Sequence, residues 1–352
     1  MRARPGFIHF LQQVGVSALA VLVAVLSLEL TVRIVRRLSP PERAETRSVD
    51  SITCDRDSLL GWIFPASSRG LFRAGPHPTP LETNELGLRN PPINLGREPC
   101  LRILVLGDSY AFGWGVQKDE AFPRQLEAMI VERYPGVSVE VLNAGVPGYG
   151  LYQQRAMLER VLSHVEIDIV VSTFSLANDP ADDLRILRFA PDRLTDYSPE
   201  LSRRNPVLAW VMGRSALARF VDRRTSAMRF KIANSSGEAV DAATKCMNEL
   251  LSACAEHGLR VLQVSIPHRS EIAGGWKARL VTSLSKRARD MQNRVAEQHG
   301  VRTIDAMETM LAIADSAETY LLNDSHWAPD GQRAVAEAVL DALPEEWLRA
   351  TD

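Results

Sequence analysis

The segment Leu104-Val-Leu-Gly-Asp-Ser-Tyr-Ala-Phe-Gly-Trp-Gly-Val116 runs from apolar residues into a serine and then into closely spaced glycines. Such an apolar run reads as a buried strand, so the Gly-Asp-Ser turn emerges at the carboxyl edge of a sheet, where open α/β folds place their ligands. A dinucleotide-binding loop needs a third glycine at position 118, which is Lys118, and a phosphate loop needs Gly-Lys-Ser/Thr, which is absent. A plain turn in which Asp108 and Ser109 cap a helix stays open on this segment alone. A serine hydroxyl becomes a nucleophile only when a base takes its proton, and the base works best when a carboxylate fixes its tautomer. Asn323-Asp-Ser-His-Trp-Ala-Pro-Asp-Gly331 offers both groups, with Asp324 and His326 two residues apart in a loop before a final helix. The other six histidines lie in the N-terminal apolar helix, in a proline-rich loop (His77), in helices or at element ends.

Groups so far apart in sequence need a rigid scaffold to meet. From residue 101 onward, apolar runs alternate with amphipathic stretches, which predicts a parallel sheet covered on both faces. Strands are expected at Leu101–Leu106, Val137–Leu142, Ile167–Phe174, Leu259–Ile266 and Val301–Ile304. Helices are expected at Ala121–Tyr134, Tyr152–Ser163, Val240–His257, Ala278–His299 and from Pro329 to Ala342, the last with proline in its first turn. Residues 180–236 carry Leu208, Trp210, Met212 and Phe220 among many arginines and read as a helical insertion. Residues 39–99 read as a linker followed by an irregular, Gly- and Pro-rich N-terminal extension without a core of its own.

Four ordered blocks of the chain resemble the SGNH hydrolases, also called the GDSL family, over roughly residues 100–345. Gly107-Asp108-Ser109 with Gly113 and Gly115 is similar to the block that supplies the nucleophile. Asn143-Ala-Gly-Val-Pro-Gly148 resembles the second block, whose glycine donates its backbone N–H, and Leu176-Ala-Asn178-Asp179 the third, whose asparagine donates its amide. Asp324 and His326 match the last, although many members place the aspartate three residues before the histidine, and Leu176 stands where the third block commonly has glycine. The resemblance implies a three-layer α/β/α sandwich with a central parallel sheet, a flavodoxin-like SGNH hydrolase fold. It also implies a catalytic Ser109, Asp324 and His326, an oxyanion hole made of the Ser109 N–H, the Gly148 N–H and the Asn178 amide, and no cofactor. No His, Cys or carboxylate cluster has zinc-like spacing. The function expected is serine-dependent hydrolysis of a small-molecule or saccharide ester through an acyl-enzyme. Two alternatives stand beside it: an O-acyltransferase or deacetylase of cell-envelope or exported polysaccharide, and a non-catalytic carbohydrate-binding or scaffolding module of the same fold.

Between Arg4 and Glu29 there is no Asp, Glu, Lys or Arg, and Val14 to Leu28 is almost wholly apolar. About 24 helical residues at roughly 1.5 Å each match a bilayer core, so residues 1–38 are expected to form a single-pass membrane anchor and its flanks. A cleaved signal peptide is the competing reading, but no small-x-small site follows the apolar core. Arg2 and Arg4 before the span and Arg33, Arg36 and Arg37 after it slightly favour a cytoplasmic body. Against this, Asn84-Glu-Leu-Gly-Leu-Arg89 resembles a segment of membrane-anchored bacterial members, which implies an extracytoplasmic, periplasmic body. Cys54 and Cys100 could close a disulfide in that compartment, adding about 4 kcal/mol, whereas Cys246 and Cys254 are expected to be buried thiols. The formal net charge of -2 gives no push toward nucleic acid. Oligomeric state is not encoded in any feature of the sequence.

Overall fold

The computed structural model describes residues 5–38, 51–73, 77–93, 101–189, 214–218, 232–313, 318–322 and 324–348. The chain divides into two units, one of residues 1–47 with 198–229 and one of residues 48–197 with 230–352.

In the first unit, helix α1 (Pro5–Leu38) runs for 34 residues. Leu19, Val21, Leu22, Val23, Val25 and Leu26 are all exposed along it. Glu29 accepts hydrogen bonds from the backbone N–H groups of Ala216 (2.7 Å) and Leu217 (2.7 Å) and from the Ser215 hydroxyl (2.8 Å), capping the turn that starts there. Arg33 bonds to Glu29 at 2.7 Å and to the Arg214 carbonyl at 2.7 Å. The membrane span expected over residues 1–38 is not shown by these residues. Side chains of α1 are described without a break only over 19–35, 17 residues, and among the described residues no helix is long and apolar enough to cross a membrane.

The second unit begins with five short strands: β1 (Ser51–Ile52), β2 (Asp55–Asp57), β3 (Gly61–Ile63), β4 (Arg69–Phe72) and β5 (Thr79–Glu82). Strands β1, β4 and β5 form one small sheet, and β2 and β3 a hairpin. Strand β6 (Leu101–Gly107), α2 (Ser109–Phe112), α3 (Phe122–Arg133), β7 (Val139–Gly145), α4 (Leu151–Leu162), β8 (Ile169–Ser175) and α5 (Asp179–Phe189) follow. After residues 190–231, most of which lie outside the described set, come α6 (Gly237–Glu256), β9 (Arg260–Ile266), α7 (Arg269–Ile272), α8 (Gly275–Gln298), β10 (Arg302–Asp305), α9 (Ala306–Ile313), α10 (Pro329–Ala342) and α11 (Glu345–Leu348). The main sheet has the order β10-β9-β8-β6-β7, and every neighbouring pair is parallel. Residues of alternate parity on its strands enter two cores. Leu104, Leu106, Leu142, Val170 and Phe174 pack with α4, α6 and α8, while Ile103, Val105, Val141, Val171 and Val264 pack with α3, α9 and α10. This is the expected α/β sandwich with a central parallel sheet.

The N-terminal extension, expected to be irregular, carries five short strands, and its Leu60, Trp62, Phe64, Phe72, Leu81 and Leu88 are buried in the same cluster as Leu104 and Leu106. Its strands of two to four residues are too short to show periodicity in sequence. Cys54 is a free thiol, and Cys100, with which a disulfide was considered, lies outside the described residues. The Cys54 side chain packs against the core, and burial, with the nearby Asp55 charge, pushes its pKa up to about 12. Arg289 is mostly covered and pairs with Asp305 at 3.0 Å and Glu271 at 3.6 Å. Cys246 and Cys254 are buried and free.

One layer of the core is polar. Ser172 donates to Gln154 at 2.8 Å, Gln263 to Ser172 at 3.3 Å, Gln292 to Gln263 at 3.1 Å, and Ser265 to Gln292. The chain of bonds links α4 and α8 across two neighbouring strands, and all five residues are buried. Gln292→Leu leaves the Ser265 hydroxyl and the Gln263 carbonyl oxygen without that partner. A stability loss of about 1–3 kcal/mol is expected, read from urea denaturation; an unchanged midpoint would mean that water or rotation restores both bonds.

Candidate functional site

Strand β6 ends in Gly107, and a Cβ there would lie 1.9 Å from Thr173 Oγ1 on the neighbouring strand and 2.8 Å from Ala111 Cβ. Only glycine lets the strand turn at that point. Asp108 then caps α2, its Oδ1 accepting the Tyr110 N–H at 2.9 Å. The capped-turn reading and the presented-serine reading are thus the same structure. Ser109 opens the helix, buried to 3% exposure.

The loop before α10 comes to meet it. Ser109 Oγ lies 2.7 Å from His326 Nε2, and His326 Nδ1 lies 2.6 Å from Asp324 Oδ1. The same Oδ1 accepts the His326 backbone N–H at 3.0 Å, so one carboxylate oxygen fixes both the ring and its peptide. With Nδ1–H donating to Asp324, Nε2 is left as the acceptor for the serine hydroxyl. Burial works to raise the Asp324 pKa, but hydrogen bonds and charge from His326 outweigh it and bring it down to about 2. The loop is pinned from three sides. The Tyr110 hydroxyl donates to the Ser325 carbonyl at 3.0 Å, Arg269 donates to the Asp324 carbonyl at 2.6 Å, and His77 Nε2–H donates to the Leu322 carbonyl at 2.9 Å.

Neither the Ser109 N–H nor the Gly148 N–H has a hydrogen-bond partner among the described residues. The Asn178 amide lies 3.5 Å from Asp108 Oδ2, a long contact that leaves it free to turn toward a better acceptor. Burial raises the Asp108 pKa, against the Tyr110 N–H and the His326 charge. Asn143 acts on the backbone: its Oδ1 accepts the Gly145 N–H at 3.0 Å, and its own N–H donates to Asn90 Oδ1. Among the described residues no group of three or more His, Cys, Asp or Glu could hold a metal ion.

Residues that sequence reading did not select complete the surroundings. Trp114 stacks on the His326 ring at 5.0 Å and 17°, and Tyr110 lies against it at 5.1 Å. Arg89 braces the end of α2 through the Phe112 carbonyl and Asn90 donates to the Val141 carbonyl of β7, and the Asn84–Arg89 segment was their one visible signal. Behind the site, Asp182 sits 3.4 Å from Arg185; burial raises its pKa to about 7, Arg185 opposing and Asp108 adding to the shift. A carboxyl with a raised folded-state pKa favours folding most below its unfolded value, and that contribution is lost as pH rises toward about 7. Asp182→Asn is therefore expected to gain thermal stability over the wild type progressively from about pH 4 to about pH 7 and then hold constant. A melting-temperature difference independent of pH would reject this assignment.

A parallel α/β sandwich with a serine, histidine and aspartate in hydrogen-bonded series at its carboxyl edge has the make-up of a hydrolase. The sequence goes further: residues 105–334 match the GDSL-like Lipase/Acylhydrolase family, so the chain belongs to it and is a hydrolase of ester bonds. No curated protein matches the chain. Among solved structures it is similar to a catalytic mutant of Axe2, an acetylxylan esterase from Geobacillus stearothermophilus. The two share 14% identity over 71% of this chain and 97% of that one, with a TM-score of 0.44. It is also similar to the psychrotrophic esterase EstA from Pseudoalteromonas sp., at 14% identity over 70% of this chain and 98% of that one and a TM-score of 0.43. A third is LAE5, an alpha/beta hydrolase enzyme from the metagenome of Lake Arreo, at 15% identity over 71% and 97% and a TM-score of 0.44.

Proposed function

We propose that the chain cleaves an O-acyl ester through a covalent acyl-enzyme on Ser109. The observation that carries this reading is the unbroken series Ser109 Oγ, His326 Nε2, His326 Nδ1, Asp324 Oδ1, with contacts of 2.7 and 2.6 Å. As Ser109 Oγ attacks the carbonyl carbon, its proton passes to His326 Nε2. The Ser109 and Gly148 N–H groups and the Asn178 amide receive the oxyanion. His326 then hands the proton to the leaving oxygen, and a water, activated by the same nitrogen, releases the acid and frees Ser109. Each of the three donors contributes about 100- to 1,000-fold in turnover.

Attachment to a membrane through α1, with the catalytic unit on the extracytoplasmic side, belongs to the same proposal. It is supported by the exposed apolar side chains of α1 and the helix's length, about 51 Å at 1.5 Å per residue. Carbonate-washed membranes should retain the full chain and lose one that starts at residue 48. The substrate is tested with a panel of p-nitrophenyl esters from acetyl to palmitoyl, with and without an added sugar acceptor. Free acid as the only product, with short acyl chains preferred, supports ester hydrolysis of an acetylated substrate. An acylated sugar assigns transfer instead, and no turnover of any ester, with no labelling of Ser109 by a fluorophosphonate, overturns the proposal.

A further inference from the structure

The end of the Ser109 helix and the strap that follows it, residues 113–116, are held by one buried side chain. Arg89 is 1% exposed and has no carboxylate partner among the described residues. Its guanidinium donates to four backbone carbonyls, those of Phe112 (2.6 Å), Gly113 (2.7 Å), Pro80 (2.8 Å) and Val116 (2.7 Å), and lies 4.8 Å over the Phe112 ring. Burial lowers the Arg89 pKa to about 9, a cost accepted for a fork of donors that no other side chain supplies. Gly113 turns the strap with φ of 79°, and a Cβ there would lie 2.8 Å from Arg89 Nη1. The Gly115 N–H is fixed in turn by Thr79 Oγ1 at 2.8 Å.

What this strap carries is Trp114. Its ring lies nearly parallel to the His326 imidazole, with 5.0 Å between centroids and 17° between planes, and Phe72 meets it edge-on at 5.8 Å. Trp114 is 5% exposed, and its indole N–H has no hydrogen-bond partner among the described residues. A π face stacked on an imidazole both fixes the plane of the ring and attracts it once it is charged. We propose that Trp114 is a positioning residue for His326 and that Arg89 holds it in place, so that the imidazolium formed when Nε2 takes the Ser109 proton is stabilised by the indole face. This rests on the Ser109 and His326 reading above. The balance is that of a proton transfer: the Oγ–H bond breaks as Oγ–C forms, Nε2–H forms, and the same proton leaves on the alcohol oxygen as the ester C–O bond breaks.

Because the charge exists only after proton transfer, removing the indole should lower kcat and leave KM unchanged. The experiment measures both constants for p-nitrophenyl acetate on the full chain with Trp114→Leu, Trp114→Phe and Arg89→Lys, and with Ser109→Ala as control. Expected are a fall in kcat of about tenfold for Trp114→Leu, recovery of most of it in Trp114→Phe, and a loss with unchanged KM in Arg89→Lys, whose single ammonium does not reproduce the fork. Trp114→Met serves the same comparison if the leucine variant does not fold. Wild-type kcat in the leucine or methionine variant, an equal loss in the phenylalanine variant, or a change confined to KM overturns the proposal, the last making Trp114 a wall of the substrate pocket. Should Ser109→Ala retain wild-type kcat, the nucleophile reading falls; if that control is dead while Trp114→Leu is fully active, only the present inference falls.

Discussion

Ser109→Ala is expected to remove ester hydrolysis by about a million-fold in kcat while the protein folds as before. The size follows from the way the group acts as a unit. Without Oγ there is no atom within reach of the carbonyl carbon for His326 to activate, and residual turnover comes only from water in a site that still binds the ester. The fold should be indifferent because the changed atom makes one hydrogen bond, to His326 Nε2 at 2.7 Å, while the backbone that places it is fixed by Asp108 and by the close packing at Gly107. The decisive pair of measurements is a stopped assay with p-nitrophenyl acetate and labelling by a fluorophosphonate. Loss of both in the variant, with an unchanged melting temperature, is the expected result. Labelling of the variant at the wild-type rate would place the nucleophile elsewhere.

Why this serine could be found in sequence, and its supporting residues could not, has a physical explanation. Gly107-Asp-Ser109 and Asp324-Ser-His326 are local patterns: each is set by a strand ending or a helix beginning within a few residues, and those ends follow from apolar periodicity and from Pro329. The five main strands and the helix at Pro329–Ala342 were legible for the same reason. Arg89 acts on Val116, 27 residues away, and through backbone carbonyls, which every residue type carries. Nothing in the sequence around Val116 marks it as an acceptor. His77 and Arg269 likewise bond to carbonyls of Leu322 and Asp324, 245 and 55 residues distant. The polar layer from Gln154 to Gln292 lies inside runs that read as apolar strands and amphipathic helices, and its partners are matched only by sheet register. Side chains that act on the backbone of a distant loop leave no spacing to recognise; side chains that act on one another within a turn do.

Asp324→Asn is expected to cost about 10,000-fold in kcat with little change in KM. The carboxylate does two things here. Its Oδ1 accepts Nδ1–H at 2.6 Å, which forces the tautomer with a free Nε2, and it carries the negative charge that balances the imidazolium. An amide in the same place keeps the shape but can turn its NH₂ toward Nδ1, which then becomes the acceptor and puts the proton on Nε2, facing Ser109. The wrong nitrogen then carries the proton, and proton transfer from the serine is blocked. The substitution also has a signature in acid. A carboxylate with a depressed folded-state pKa contributes stability that is present above its unfolded value, near 3.8, and is lost as pH falls through about 2. Wild type should therefore lose its advantage over Asp324→Asn in thermal melting between about pH 4 and about pH 2, and hold it unchanged between pH 5 and 8, so far as this group is concerned. If the variant kept its activity and showed the same acid limb as the wild type, Asp324 would be a loop residue that happens to touch His326, and the orienting group would have to be sought among the carbonyls around the ring.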